Sequence, residues 1–220
     1  MAVRLRWSLM NLLGLVQLVD TPGPGVGYQD CLSIEMLARQ GLLRTGQQVL
    51  NLVESALRAV IGPTQGIAAG IAFRAARLGD PGLVPAVSQV LSSTQLPESL
   101  RLASLQMGTR LWEISRRWNW TQPVHEQFDP VMPEAGVHGG VAFGTLVSET
   151  TAHEVRAVAA CLMQAARGII EAAVGAIPLE DFMNHRLLAQ AQPMISRLAA
   201  DFAQHTLPDI RCAHFKFPLA

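Results

Sequence analysis

The chain has 220 residues, of which 50% are hydrophobic and 15% are charged, and its 17 basic residues balance its 17 acidic residues. A formal net charge of zero gives no basic surface of the kind that binds nucleic acid or anionic lipid. The basic residues are sixteen arginines and one lysine, Lys216, so the body of the chain lacks the lysine that P-loop, Schiff-base and kinase chemistry use. Nucleic-acid binding and most nucleotide chemistry are therefore disfavoured.

Composition also predicts more apolar surface than a monomer of this size needs. The mean hydropathy is +0.25, and apolar surface that one subunit leaves uncovered is typical of a protein that binds a protein partner. The length fits one large domain, and no linker divides it. We therefore expect residues 1–220 to form a single helical domain with a protein–protein role.

The cysteines and the N-terminal segment indicate a cytoplasmic protein. Cys31, Cys161 and Cys212 are far apart without a CxxC spacing, which predicts neither a disulfide framework nor a thiolate zinc site. Cys161 lies in an apolar run and is expected to be a buried hydrophobe. Arginines precede an apolar stretch at residues 1–18, but Asn11 and Gln17 interrupt it and no cleavage site follows. We expect a first helix here and no membrane span.

Helical spacing dominates the first half of the chain. An amphipathic helix is predicted over residues 4–18, with one apolar face that the sequence places at Leu5, Leu9, Leu12, Leu13 and Val16. A Pro- and Gly-rich loop follows, and then a helix over residues 30–40. Thr45 is expected to cap a helix that reaches residue 61, and Pro63 to begin a new one. A short helix is predicted to end at about residue 92, and a longer helix is predicted to begin at residue 97.

The second half is predicted to surround one apolar helix. Residues 119–138 contain three prolines and are expected to be an irregular connection. Residues 155–177 are apolar on most sides, which predicts a buried central helix. Two helices, residues 179–191 and 193–206, are expected on either side of Pro193, followed by a short tail at residues 207–220. The fold class is therefore all-α, a bundle of about nine or ten helices.

No pattern of a common active site occurs in the sequence. The six histidines never stand three or four residues apart, so we expect no metal site, no catalytic residue and no cofactor. His138 precedes Gly139 and Gly140 and is predicted to anchor that turn by bonding the backbone. The glycine at Gly108, inside a strong helix, is best explained by close helix packing.

Four segments in order resemble the UreF family, helical urease accessory proteins that act in nickel insertion. PGVGYQDCLSIEMLARQGLL is similar to the family's N-terminal segment, with Tyr28 and Glu35 as equivalents. ESLRLASLQMGTRL resembles its R-x-x-S-x-Q-M-G helix, and HGGVAFG its H-x-x-V-A-F-G motif. IIEAAVGAIPLEDFMNHRLL resembles the family segment that ends in R-LL, here Arg186 to Leu188.

The resemblance implies an all-α homodimer that acts as a scaffold rather than an enzyme. It would bridge UreD/UreH and the GTPase UreG, and reach the urease apoprotein through them, without a cofactor of its own. The residues implied at the UreG side are Tyr28, Glu35, Arg186 and Leu187. The UreD/UreH side is implied to include the segment from Asp209 to His214.

The sequence departs from the family pattern at both implied surfaces. The family's serine-rich S-Y-S is here Gln29-Asp30-Cys31, its polar segment after the Pro-Leu pair is EDFMNH, and its tail is reduced. Two alternatives therefore stay open. One is a helical adaptor for another metallocentre or assembly. The other is a small-ligand binder with a pocket near His138 and the region from Trp112 to Trp120.

Overall fold

Helices form the framework of the computed structural model, which describes residues 2–21, 32–94, 98–151 and 153–211. These ranges contain nine helices and no strand, so the predicted all-α fold is confirmed. The helices are α1 (Ala2–Asp20), α2 (Ile34–Arg39), α3 (Gly46–Leu78), α4 (Leu83–Ser93), α5 (Glu98–Ser115), α6 (Gln122–Phe128), α7 (Gly139–Val147), α8 (Glu154–Ala176) and α9 (Met183–Phe202).

Helix α3 is one continuous helix, and the prediction that Pro63 begins a new helix is wrong. Thr45 caps it as predicted: its side chain accepts from the Gln48 N–H at 3.3 Å, and Gln48 Oε1 accepts from the Thr45 N–H at 3.1 Å. The middle of the helix, Leu57–Gly66, is a π-helix. Because proline lacks an N–H and collides with the preceding turn of an α-helix, the wider π turns let the chain continue through Pro63.

Helix α9 likewise continues through Pro193, where the sequence predicted a break. The proline is on the solvent side of the helix, as is Ala189, whose carbonyl loses its helical partner. That carbonyl can bond water instead. Leu187, Ala191, Met194 and Ile195 are buried on the opposite face, and their packing holds the helix together across the proline.

The connection over residues 119–138 is more ordered than predicted. It contains α6 and two 3₁₀ turns, Asn119–Thr121 and Asp129–Val131. Asp129 Oδ1 lies 2.8 Å from Trp112 Nε1, 3.1 Å from Arg116 Nη2 and 3.1 Å from His125 Nδ1. One carboxylate therefore ties the end of α5 to α6.

The helix predicted to be central, α8, packs against α9, α3, α2, α7 and α1. Its best-buried residues include Cys161, as predicted, but Val155 near its start is 44% exposed. The most enclosed helix is α7, every residue of which is buried. It lies against α3 and α5. The HGGVAFG motif, which forms the start of α7, therefore packs beside the ESLRLASLQMGTRL motif of α5.

Two helices, α3 and α8, are long and apolar enough by composition to cross a membrane. In the most apolar window of each, 83% and 61% of the residues, respectively, are buried within the fold. Burial of that extent is typical of core helices, which pass the same test of length and composition.

Helix α1 forms over the predicted stretch but packs in an unexpected way. Gly14 and Leu18 face inward, whereas the described members of the predicted apolar face are exposed. The amide of Gln164 donates to the carbonyls of Leu18 at 3.1 Å and Thr21 at 2.8 Å, and so ties the end of α1 to α8.

Candidate functional site

A polar cluster in the core, of which only Ser92 is exposed, joins two of the motif segments to α3 and α4. We define it as Gln65 on α3, Ser92 on α4, Ser104 on α5 and His138 at the start of α7. His138 Nδ1 lies 3.0 Å from Ser104 Oγ, and its Nε2 lies 3.0 Å from Ser92 Oγ. Ser104 Oγ donates to Gln65 Oε1 at 3.0 Å. Because the Ser104 hydroxyl is used as a donor, Nδ1–H of His138 must donate to Ser104, and Nε2 then accepts from Ser92.

The same cluster satisfies the first N–H groups of α7. The Gly139 N–H donates to Ser104 Oγ at 3.2 Å, and the Gly140 N–H donates to Gln65 Oε1 at 2.8 Å. These groups have no partner within their own helix. His138 therefore anchors this turn as predicted, but its ring bonds two serine side chains instead of the backbone.

Burial keeps His138 neutral. Its surroundings lower its pKa to about 4, mainly through desolvation and also through the charge of Arg101. A neutral ring with both nitrogens engaged offers neither a free base nor a free metal ligand. The cluster holds α3, α4, α5 and α7 together.

The motif glycines allow helices to touch backbone to backbone. A Cβ at Gly108 would lie 2.1 Å from the Val137 carbonyl oxygen, and one at Gly140 would lie 2.3 Å from that of Gln65. A Cβ at Gly144 would likewise lie 2.1 Å from the Ala69 carbonyl oxygen. The predicted close-packing role of Gly108 is therefore confirmed.

The surface at the start of α9, which we call the α9-start surface, contains two features that protrude. Phe182 is 77% exposed and has a left-handed backbone with φ of 62°. Arg186 is also exposed and pairs with Glu180 at 3.2 Å. A bulky residue in this conformation is strained, and such strain concentrates at functional positions. Sequence analysis did not single out Phe182, because it lies within a segment that departs from the family pattern.

Leu187 differs from Arg186, its neighbour in the predicted interface. Its side chain is 2% exposed, and a Cβ on Gly46 would lie 3.2 Å from its Cδ2. Leu187 therefore packs in the core against the start of α3, and it presents no surface to a partner. The prediction that Leu187 contacts a partner is therefore wrong for this fold, in which the residue stabilises the core.

Glu35 lies on α2 with its side chain 79% exposed, paired with Arg39 at 3.3 Å. Met36 and Leu42, on either side of Arg39 in sequence, are exposed hydrophobics. Gly46, which begins α3 eleven residues after Glu35, adjoins Met183 and Leu187 at the start of α9. Tyr28, also predicted for this surface, lies outside the described residues.

A second surface follows the end of α9. Asp209 Oδ2 accepts from both the N–H and the hydroxyl of Thr206, each at 2.8 Å, and these bonds hold its pKa below the ordinary value. Arg74 on α3 donates to the carbonyls of Ala203 at 3.0 Å and His205 at 2.8 Å. This turn is therefore fixed to the body of the protein. His214, predicted for the same surface, lies outside the described residues.

Arg74 is itself held by a charge partner. It forms an ion pair with Glu154 at the start of α8, and burial raises the pKa of that carboxyl while Arg74 opposes the rise. One side chain thus connects α3, α8 and the segment that carries Asp209.

An apolar cleft of about 330 Å³ opens beside α1. Its lining comprises Met10, Asn11, Asn119, Trp120, Pro123, Glu149 and Thr150. The pocket proposed for a ligand was expected near His138 as well, but His138 is fully buried in the core and does not line the cleft. Burial raises the pKa of Glu149, against the effect of Arg77.

In the described part of the chain, no group of three or more His, Cys, Asp and Glu side chains could hold a metal ion. Cys161 is fully buried, and this burial raises the pKa of its thiol to about 12. Cys31 and Cys212 lie outside the described residues.

Comparison with known proteins identifies the family. The family model UreF matches residues 43–192. The chain is similar to the urease accessory protein UreF of Bacillus sp. (strain TB-90), with 20% identity over 202 residues that cover 91% of this chain and 88% of the relative. It is also 27% identical over 185 residues to the urease accessory protein UreF of Paenarthrobacter aurescens (strain TC1). That match covers 84% of this chain and 80% of the relative.

A third relative, the UreF of Kocuria rhizophila, is 24% identical over 196 residues, covering 88% of this chain and 82% of the relative. Identities of this size over nearly whole chains describe a divergent member. The model match covers well over half of the 220 residues, and the chain therefore belongs to the UreF family of urease accessory proteins.

Proposed function

We propose that this urease accessory protein is a non-enzymatic scaffold of nickel-centre maturation. It binds the GTPase UreG at the α9-start surface and UreD/UreH at the turn that carries Asp209, acts as a homodimer in the cytoplasm, and reaches urease through these partners. It needs no cofactor of its own, and nickel is handled by the wider complex.

The observation that carries the proposal is the exposed, strained Phe182 beside Arg186. Aromatic and arginine side chains dominate the binding energy of protein interfaces. An exposed phenylalanine in a left-handed conformation is unfavourable for the isolated chain on two counts, since both its apolar surface and its backbone cost free energy. Burial against a partner would offset the first of these costs.

The spacing of the two surfaces supports a bridging role. Helix α9 has 20 residues, so at 1.5 Å per residue its ends are about 30 Å apart. Arg186 is in its first turns, and Asp209 follows its last. Two partners can therefore bind at once without competing for the same surface.

The buried polar cluster argues against a catalytic role at the family motifs. Its histidine has both ring nitrogens in hydrogen bonds to serines and no exposed atom. The structural role of these motif residues supports a function at the exposed surfaces.

The proposal is tested by co-purifying the chain with UreD/UreH and UreG of its own organism, with and without a GTP analogue. Size-exclusion chromatography with light scattering should give a defined ternary complex. Phe182→Ala should lose UreG and keep UreD/UreH, whereas Asp209→Ala should do the reverse. Leu102→Ala, at an exposed apolar residue of α5, serves as the matched control and should keep both.

A chain that binds neither UreD/UreH nor UreG would overturn the scaffold role. Capture of different accessory proteins at the same two surfaces would favour the adaptor for another metallocentre, which has the same fold and a different assembly.

A further inference from the structure

The cleft beside α1 is formed by four separate parts of the chain. Its walls come from α1, the 3₁₀ turn Asn119–Thr121, the start of α6 and the turn that follows α7. Its volume of about 330 Å³ lies at the lower end of the range for ligand pockets. The cleft therefore suits a small ligand or a single side chain, and it is too small for a helix or a strand.

Contacts within the chain fix the walls of this cleft. Trp120 Nε1 donates to Gln17 Oε1 at 2.8 Å, and its ring stacks on that of Trp118 with the ring centroids 5.4 Å apart. Thr150 Oγ1 donates to a carbonyl of the last turn of α7 at 2.9 Å. An added Cβ on Gly14 would approach both Trp120 and Thr150 to 3.2 Å. The shape of the cleft is therefore set before a ligand binds.

Three polar side chains of the lining remain available to a ligand. Trp120 and Thr150 use their polar atoms in the bonds above, whereas the side chains of Asn11, Asn119 and Glu149 make no hydrogen bond to any residue that the structure describes. A carboxylate only accepts hydrogen bonds, and each amide adds an oxygen acceptor beside its N–H donors. The cleft therefore offers several acceptors to a group that donates.

The charge of the cleft is negative. Glu149 carries the only charge among the described lining residues, and it directly follows Ser148, the last residue of the α7 cap. The negative end of the helix dipole therefore adds to its charge. Burial raises the pKa of this carboxyl, against the effect of Arg77, and Arg77 forms no ion pair with it in the described structure. A cation is the group that complements this wall.

The apolar part of the lining selects the rest of the ligand. Met10, Trp120 and Pro123 can cover a methylene stem, as apolar surface does for the stems of lysine and arginine. A guanidinium or ammonium group at the end of the stem would form charge-assisted hydrogen bonds with Glu149. A neutral apolar molecule would bury the carboxylate without a donor, which is unfavourable.

We propose that this cleft is a binding site for an alkylguanidinium or alkylammonium group, with Glu149 as its anionic contact and Asn11 and Asn119 as further acceptors. A free amine or guanidine has this chemistry, and so has an arginine or lysine side chain of another protein. The site is separate from the two partner surfaces of the proposed function and does not depend on them.

The first test adds butylguanidinium to the full chain and follows the side-chain N–H signals of Asn11, Asn119 and Trp120 by heteronuclear NMR. The signals should shift saturably with a dissociation constant on the order of 1 mM, which a ligand of about eight non-hydrogen atoms allows. Butylurea has a similar shape without the charge and should bind roughly 10-fold more weakly or less. Equal binding of the two compounds, or no saturable shift with either, would overturn the proposal.

The second test removes the charge of the cleft. Glu149→Gln should weaken the binding of butylguanidinium roughly 10-fold or more and leave that of butylurea unchanged. Glu126→Gln makes the same change at an exposed glutamate of α6 outside the lining, and it should bind butylguanidinium as the wild type does. Signals of residues far from the cleft report whether each variant folds. If Glu149→Gln bound butylguanidinium as tightly as its control, Glu149 would not be the anionic contact and the proposal would fail.

A third compound separates the two sources of the cation. N-acetylarginine N-methylamide carries the guanidinium on a stem that is attached to a blocked peptide backbone. Binding at least as tight as that of butylguanidinium would assign the cleft to a side chain of a protein partner. Binding that is roughly 10-fold weaker would assign it to a free cation, because the backbone then obstructs entry. Either result supports a cation site, and the loss of both cations would contradict it.

Discussion

The region around α7 and the two ends of α9 use their unusual residues in opposite ways. Around α7, polar groups and glycines are buried, and each has a specific neighbour: His138 has two serines and Gly140 has the Gln65 carbonyl. At the start of α9, Phe182 protrudes into solvent with a strained backbone. The family motifs around α7 lie in the core, and Phe182, in a segment that departs from the family pattern, lies on the surface that we propose binds a partner.

This contrast teaches that recognisable residues and functional surface need not coincide. Substitutions near α7 should lower the free energy of unfolding, whereas substitutions on the surfaces should weaken binding without destabilising the fold. Each prediction below measures a free energy of unfolding or a binding strength that can contradict this difference between the two regions or give it a magnitude.

The largest effect is expected for Gly140→Ala. The new Cβ would lie 2.3 Å from a backbone oxygen, which cannot move aside without separating α7 from α3. We expect a loss of about 3 kcal/mol in the free energy of unfolding, measured by urea denaturation. Gly175→Ala is the control, because nothing lies within 4 Å of its Cβ, and it should be neutral or slightly stabilising. Equal effects in the two variants would remove the close-packing argument.

A pH-dependent loss of stability is expected from His138. Its pKa is about 4 in the folded chain, whereas in the unfolded chain it keeps its ordinary value near 6.5. Between these pH values the unfolded state binds the proton, so stability is complete above about pH 6.5 and falls as the pH falls toward 4.

The full loss attributable to His138 amounts to about 3 kcal/mol at 1.36 kcal/mol per pKa unit. Urea denaturation at pH 7, 6, 5 and 4.5 measures it, and His138→Gln, which cannot take up the proton, should show a shallower dependence. Parallel curves for the two proteins would mean that the ring is not held neutral in the fold.

A smaller effect is expected for Gln65→Leu. The substitution removes the acceptor of the Gly140 N–H and of the Ser104 hydroxyl and leaves these buried groups unpaired. We expect a loss of about 2 kcal/mol. Gln47→Leu changes an exposed glutamine of the same helix and should stay within about 0.5 kcal/mol. If Gln65→Leu were as stable as its control, the polar cluster would not contribute to stability.

The smallest effect, of opposite sign, is expected for Phe182→Gly. Glycine adopts the left-handed backbone without strain, so the free energy of unfolding should rise by up to about 1 kcal/mol. Binding of UreG should fall in the same variant. A destabilised protein would indicate that Phe182 has a structural role, and the contrast between the two regions would fail there.

The sequence predicted the elements of this fold where local chemistry decides them. The Thr45 cap, the helix that Glu98 begins and the apolar α8 each follow from cap residues or hydrophobic periodicity. It failed at Pro63 and Pro193, because packing of the flanking apolar faces outweighs the local preference of proline to end a helix.

The sites were predictable to a lesser degree. Glu35 and Arg186 are on the surface as expected, while the burial of Leu187 follows from its place on the inner face of α9, one residue from Arg186. The exposed face of α1 shows the same limit, since its leucines have the spacing of a buried face. Periodicity identifies an apolar face, and only the arrangement of the neighbouring helices decides whether the chain itself covers that face.

The most direct measurement is the nickel content and activity of urease produced together with the other accessory proteins of the same organism and with this chain, its Phe182→Ala variant or no UreF at all. The wild-type chain should give nickel-loaded, active urease. Phe182→Ala should give much less, although it folds and accumulates normally, and omission should give almost none. Urease that is loaded equally well in all three cases would contradict the account.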